Sequence, residues 1–250
     1  MAKKRPRNKQ NTGAKGQPGG GEFLAGTLEK GVTKVYKNKK NKNGLPDALQ
    51  KYWSQRYRLF SLYDEGIKID EEGWYSVTPE AIAYDTALRL QCDVIVDAFC
   101  GVGGNSIQFA NVCERVIAID ISEERLALAR HNAKVYGVSD RIEFIVGDFF
   151  KLAPRLKADA VFLSPPWGGP KYIDSSTYSL DMMLPRPGKD IFEVATGISQ
   201  NICLFLPRNS NPKEIIELAG SGGHCEIEQN YYRGKLKSIT AYYGDLATDH

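Results

Sequence analysis

The chain has 250 residues, 42% hydrophobic and 25% charged, enough for one sizeable α/β domain and an extension. No apolar run approaches the roughly 18–20 residues of a membrane span, and no apolar stretch follows the basic start, so neither a transmembrane segment nor a secretory leader is expected. Five cysteines with no CxxC pair read as reduced thiols of an intracellular protein, and three scattered histidines argue against a His-based site, so no metal is expected.

The net charge of +3 is unevenly spread. Residues 1–43 hold twelve Lys/Arg against two Asp/Glu, and the remainder holds 21 against 28. A basic arm over 1–44 therefore precedes an acidic body. Its low hydrophobicity, glycines and like charges predict disorder. It reads as a solvated linker, as a nuclear-import or nucleic-acid-attracting tail, or as both.

Residues 45–78 are expected to form a small helical extension, and 79–250 the main domain. "LPDALQKYWSQRYRLFSLYDEG" places Leu49, Tyr52, Trp53, Tyr57 and Phe60 at helical spacing, with Gly66 as the stop. Lys51, Arg56 and Arg58 would remain free to meet an anion. "GWYSVTPEAIAYDTALRL" offers Thr78 as N-cap and Pro79 at the first helical position. Strands and helices then alternate: "DVIVDAF", a glycine turn opening a helix, "RVIAID", a capped helix, "RIEFIVGD", a short helical segment, and "DAVFLS". A helix at "KDIFEVATGISQN", strand "ICLFLP" and helix "PKEIIELAG" follow, before a hairpin of "HCEIEQNYY" and "KLKSITAYYG" joined at "RGK". The expected fold is α/β: a doubly wound, mostly parallel seven-stranded sheet ending in an antiparallel hairpin.

Such sheets bind ligands at the carboxyl ends of their central strands. In "VDAFCGVGGNS", Asp97 closes a strand, and Gly101, Gly103 and Gly104 let the backbone pass close to a ligand. Asp120 closes the next strand 23 residues later, where a carboxylate accepts from ribose hydroxyls. A nicotinamide-binding dehydrogenase uses the same geometry. Here, however, Ser106 replaces the third glycine of G-x-G-x-x-G, and Asp97 would repel a pyrophosphate. A cationic, phosphate-free ligand such as S-adenosylmethionine suits the turn better. After the third strand, Asp148 and Phe149 offer adenine a carboxylate and an aromatic face.

"SPPW" follows the fourth strand. Its prolines stiffen the loop and leave carbonyls as acceptors. An amine would donate to Ser164 and the Pro165 carbonyl while its ring stacks on Trp167. The alternative is that Trp167 plugs the open end of the sheet.

Together "DAFCGVGGNSIQFA", "IAID", "GDFF" and "FLSPPWGGPKY" resemble class I methyltransferases acting on a nucleobase amine, and more closely the trimethylguanosine synthases, over roughly Leu45 to Leu246. "QKYWSQRYRLF", "GWYSVTPE", "FLPRN" and "EIEQNYY" fit the same family, whereas the basic arm does not belong to the match. The resemblance implies a cap guanosine-N2 methyltransferase that makes di- and trimethylguanosine caps on small nuclear and nucleolar RNAs. It implies a protein of the nucleus and cytoplasm, and the charge of the arm points to RNA-associated proteins as further partners. It implies S-adenosylmethionine held by Asp97, Asp120 and Asp148, with Thr78, Phe99, Gly101, Gly103 and Phe149 around it. Trp167 would stack on the methylated guanine, with Ser164 and Pro165 at its 2-amino group. Tyr172, Arg208 and Lys237 would meet the cap triphosphate, and the regions of Phe60 and Thr78 would close over both ligands. The rivals are another nucleobase or glutamine amine methyltransferase, disfavoured by Ser164 in place of Asn or Asp, and a non-catalytic cap-binding protein.

Overall fold

The computed structural model describes residues 44–169, 172 and 175–248, so the basic arm lies outside the described residues. The extension does not form one helix. A 3₁₀ turn at Asp47–Leu49 leads into α1 (Gln50–Trp53), and α2 (Arg56–Leu59) follows after a break. The break has a local cause. Ser54 Oγ and Gln55 Nε2 both donate to the Lys51 carbonyl at 2.8 Å, competing with the helix for that acceptor. Leu49, Leu59 and Phe60 are buried, but Tyr57 turns outward with 47% exposure. Arg56 stacks on Trp53 and Tyr57, with its guanidinium 4.0 and 4.1 Å from the ring centroids, and pairs with Asp64 at 3.9 Å. Arg56 is therefore occupied rather than free for an anion.

The short α3 (Gly73–Ser76) precedes α4 (Glu80–Arg89). Thr78 does not cap α4. Pro79 holds the cap position with ψ 132°, and Thr78 Oγ1 instead accepts from Asn105 Nδ2 at 3.1 Å. A proline biases the residue before it away from helix, which moves the start one residue on.

The alternating pattern then unfolds as expected: β1 (Val94–Asp97), α5 (Gly104–Val112), β2 (Arg115–Asp120), α6 (Glu123–Val135), β3 (Ile142–Val146), α7 (Phe149–Leu152) and β4 (Ala160–Leu163). After α8 (Gly188–Thr196), β5 (Ile202–Pro207) and α9 (Pro212–Glu217), the chain ends in the hairpin of β6 (Cys225–Tyr232) and β7 (Lys235–Tyr243). The sheet order is β3-β2-β1-β4-β5-β7-β6, with β7 antiparallel to both of its neighbours. β4 and β5 are buried throughout, as continuous apolar runs in a parallel sheet must be.

Alternate residues feed two cores, one on each face of the sheet. Ile95, Phe162 and Phe205 join the core that takes in Leu49, Phe60 and Trp74 of the extension. Val96, Leu163 and Leu204 join the core under Tyr178 and Ile191. The chain runs outward from β1 to β3 and then returns to β4. The reversal lies between β1 and β4, and it opens a crevice at their carboxyl ends.

Candidate active site

The crevice is a cleft of about 670 Å³. Its donor-side wall begins at the turn after β1. Gly101 has φ +54°, and a Cβ there would meet nothing within 4 Å, so its backbone lies open to a ligand. Gly103, at φ +90°, serves packing instead: a Cβ would stand 3.1 Å from that of Ala129 on α6.

Asp120 is buried and already holds two backbone amides, Gly101 N–H at 2.9 Å and Ser122 N–H at 2.8 Å. These bonds fix its carboxylate at the cleft edge, where its remaining lone pairs face ligand space. Asp148 caps α7 by accepting from Phe150 N–H at 3.0 Å. Phe149 packs against Phe99, with centroids 5.6 Å apart, and both rings line the cleft.

The acceptor side is the loop after β4. Ser164 Oγ donates to the Phe99 carbonyl at 3.4 Å, tying this loop to the β1 turn. Trp167 Nε1 donates to the Phe205 carbonyl at 3.3 Å. The Phe205 ring lies 5.5 Å from the indole at 31°, and Tyr172 meets it edge-on at 5.3 Å. The indole is thus clamped, touches both cores, and still lines the cleft while partly buried.

The structure brings Thr78, Phe99, Gly101, Asp120, Asp148, Phe149, Ser164, Pro165, Trp167 and Tyr172 into one cleft. Five expected residues stand off its surface. Gly103 packs behind the turn. Asp97 is 0% exposed beneath it, accepting from Ser106 Oγ at 2.6 Å, while its Oδ1 has no partner among the described residues. Burial pushes the Asp97 carboxyl up to about 7, despite the Ser106 hydroxyl pulling the other way. Arg208 and Lys237 lie beyond the rim, although the charge of Arg208 is felt at Tyr172, where burial raises the phenol and Arg208 lowers it. Phe60 is a core residue, its ring 6.2 Å from that of Tyr136.

Sequence reasoning missed several wall residues. Tyr52, one of the apolar residues at helical spacing in the extension, lines the cleft. Asn105 carries a buried Oδ1 with no partner among the described residues. Glu72 and Arg125 form a strap: Arg125 bonds Asp70 at 3.1 Å and also Glu72, fastening the segment before α3 to α6. Only the polar residues crowded around the glycine turn offered a signal for any of these.

Carboxylates on the donor side, an unpaired buried Asp97 oxygen and an open glycine backbone fit a cationic ligand without phosphate. Among the described residues no group of three His, Cys, Asp or Glu is placed to hold a metal ion, and no helix is long and apolar enough to cross a membrane.

The sheet order, with its last strand inserted antiparallel, is that of the class I methyltransferases. A solved Porphyromonas gingivalis protein assigned as a methyltransferase shares the fold, with TM-score 0.59 at 16% identity, covering 80% of this chain and 49% of that one. Residues 92–246 match the RNA cap guanine-N2 methyltransferase family, and the chain belongs to it. The trimethylguanosine synthase of Schizosaccharomyces pombe is 42% identical, covering 80% of this chain and 87% of its own. That of Saccharomyces cerevisiae is 36% identical, covering 87% and 73%. The protein is an RNA cap guanine-N2 methyltransferase, and this membership implies S-adenosylmethionine as methyl donor and a 7-methylguanosine-capped RNA as acceptor.

Proposed function

We propose that the protein methylates the exocyclic 2-amino group of the caps of small nuclear and nucleolar RNAs, giving di- and trimethylguanosine. It would work in the nucleus with a cytoplasmic share, its basic arm attracting RNA or RNA-bound proteins. The observation that carries this reading is Trp167, clamped and only partly buried in the same cleft as the Asp120 carboxylate.

S-adenosylmethionine supplies an electrophilic methyl carbon. The chain's own task is mainly alignment, which supplies roughly 7–11 kcal/mol when reacting atoms are well placed. Asp120 would accept from the donor's ribose, and Asp148 with Phe149 would hold its adenine. Asp97, once ionised, would set a negative field beneath the turn. Trp167 would stack on 7-methylguanine, whose positive charge adds up to about 2 kcal/mol of cation–π attraction in a desolvated site. Ser164 and the Pro165 carbonyl would accept from the 2-amino group and orient its lone pair. Tyr172 in the cleft, with Arg208 and Lys237 beyond its rim, would meet the triphosphate.

Incubation with labelled S-adenosylmethionine and either a 7-methylated or an unmethylated guanosine cap tests the reading. Transfer to the 7-methylated cap alone is expected. Equal transfer to both would remove the cationic-base argument.

A further inference from the structure

Five cations gather where the β6–β7 hairpin meets α2. The hairpin turns through Arg233 and Gly234, at φ 50° and 70°. Lys235 stands opposite Tyr232 across the ladder, and Lys237 falls at the bulge between the Asn230–Ser238 and Tyr231–Leu236 pairs, where the charges of Arg58, Lys235 and Arg208 reach it. Arg208 follows directly on Pro207, which pairs with Ser238 of β7. From the extension, Arg58 lays its guanidinium 4.8 Å over the Tyr232 ring, and that of Arg233 lies 5.5 Å from the same ring.

The described ion pairs draw Arg56, Arg89, Arg115 and Arg125 onto carboxylates. None of the five hairpin cations has a carboxylate within 4.0 Å among the described residues, and Arg58 Nε is buried without a partner. Burial, and then the charges of Arg58, Lys235 and Arg208, holds the Lys237 ammonium below its ordinary pKa. Burial lowers Arg58 too, with Arg233 adding to it. An external anion would relieve such self-repulsion. The cluster also adjoins the cleft, since Arg208 acts on Tyr172, the edge-on neighbour of Trp167.

We infer that this face of the hairpin is a phosphate track for the RNA strand beyond the cap, carrying the first nucleotides from Arg208 along Lys237 and Lys235 to Arg233. The inference rests on the cap reading above for its starting point. The track adds affinity for RNA length without reading sequence, because phosphate contacts position and do not specify.

The test is fluorescence anisotropy with three probes: a 7-methylguanosine-capped 20-mer, the same 20-mer uncapped, and a capped dinucleotide. Wild type is expected to bind the capped 20-mer at least tenfold more tightly than the dinucleotide at low salt. The double variant Arg233→Ala/Lys235→Ala changes two exposed side chains. It should lose most of that advantage, keep dinucleotide binding within twofold, and lower the salt slope by about 1.4, at roughly 0.7 per released counterion on single strands. The charge-retaining Arg233→Lys/Lys235→Arg pair should restore binding. Unchanged 20-mer affinity and salt slope in the alanine variant would overturn the track, as would equal binding of 20-mer and dinucleotide by wild type. If capped and uncapped 20-mers bind alike while the alanine variant still loses slope, the track stands and the cap reading fails.

Discussion

Asp97 is an ionisable carboxyl with no exposed surface, and burial moves it from 3.8 to about 7. The folded state therefore binds more protons than the unfolded one between those values. Free protein loses stability to this group as pH rises through that window, at up to ~1.4 kcal/mol per unit. A cationic donor reverses the balance by favouring the ionised carboxylate. Calorimetry should show S-adenosylmethionine affinity rising by up to about tenfold per unit from pH 5.5 to 7 and then levelling, and Asp97→Asn should flatten that profile. A wild-type profile as flat as the variant's would mean that Asp97 does not feel the donor. Trp167 separates two roles by another route. As a platform for a cationic base, it should give cap affinities in the order Trp, Phe, then Leu and Ala together, the last two lower by tenfold or more, since stacking is worth about 1–3 kcal/mol per base. As a plug touching both cores, it should instead give an order that follows side-chain volume, mirrored in melting temperature. Affinity loss that tracks the melting temperature across these variants would sink the platform role. Asp120, Asp148, Ser164 and Trp167 were legible because each sits at a strand end whose neighbours along the chain define it. The depth of Asp97 was not, because it depends on Ser106 and on the packing of a turn against helices far away in sequence.

At the scale of elements, legibility followed the strength of the local pattern. The central strands are apolar runs bounded by turn residues, and all were located. Ser122 before α6 accepts from Arg125 N–H at 3.2 Å, as a serine ahead of two glutamates suggests. The extension broke the pattern. Its apolar spacing was helical, but Ser54 and Gln55 supply competing donors, and Arg56 with Asp64 draws Tyr57 to the surface. Aromatic residues there served two ends: Trp53 and Tyr63 flank Arg56, while Tyr52 turns to the cleft. Periodicity counts apolar residues and does not say which of them a guanidinium will claim. The start of α4 moved for a related reason, since the Thr78 hydroxyl found a partner on α5 rather than on its own helix.

The whole molecule joins a rigid sheet to an extension held over its open end. Thr78 bonds Asn105 of α5, Arg125 of α6 straps Asp70 and Glu72, and Glu80 accepts from Ser61 Oγ and the Tyr136 hydroxyl at 2.8 Å each. Residues 75–78 thereby line the cleft beside the β1 turn, where Thr78 bonds Asn105. A donor that contacts both segments would add its binding energy to the cohesion of sheet and extension. Saturation at 100 times Kd adds about 2.7 kcal/mol to stability. For a domain of this size that is roughly 5–10 °C in melting temperature. The more telling measurement is local. Hydrogen exchange should slow at the amides of residues 73–78 when S-adenosylmethionine is added, and Arg125→Ala should weaken that protection before it lowers global stability, because the strap holds the wall and not the sheet. Protection confined to the strand ends, with residues 73–78 exchanging as in the free protein, would show that the extension is packed beside the donor site without closing it.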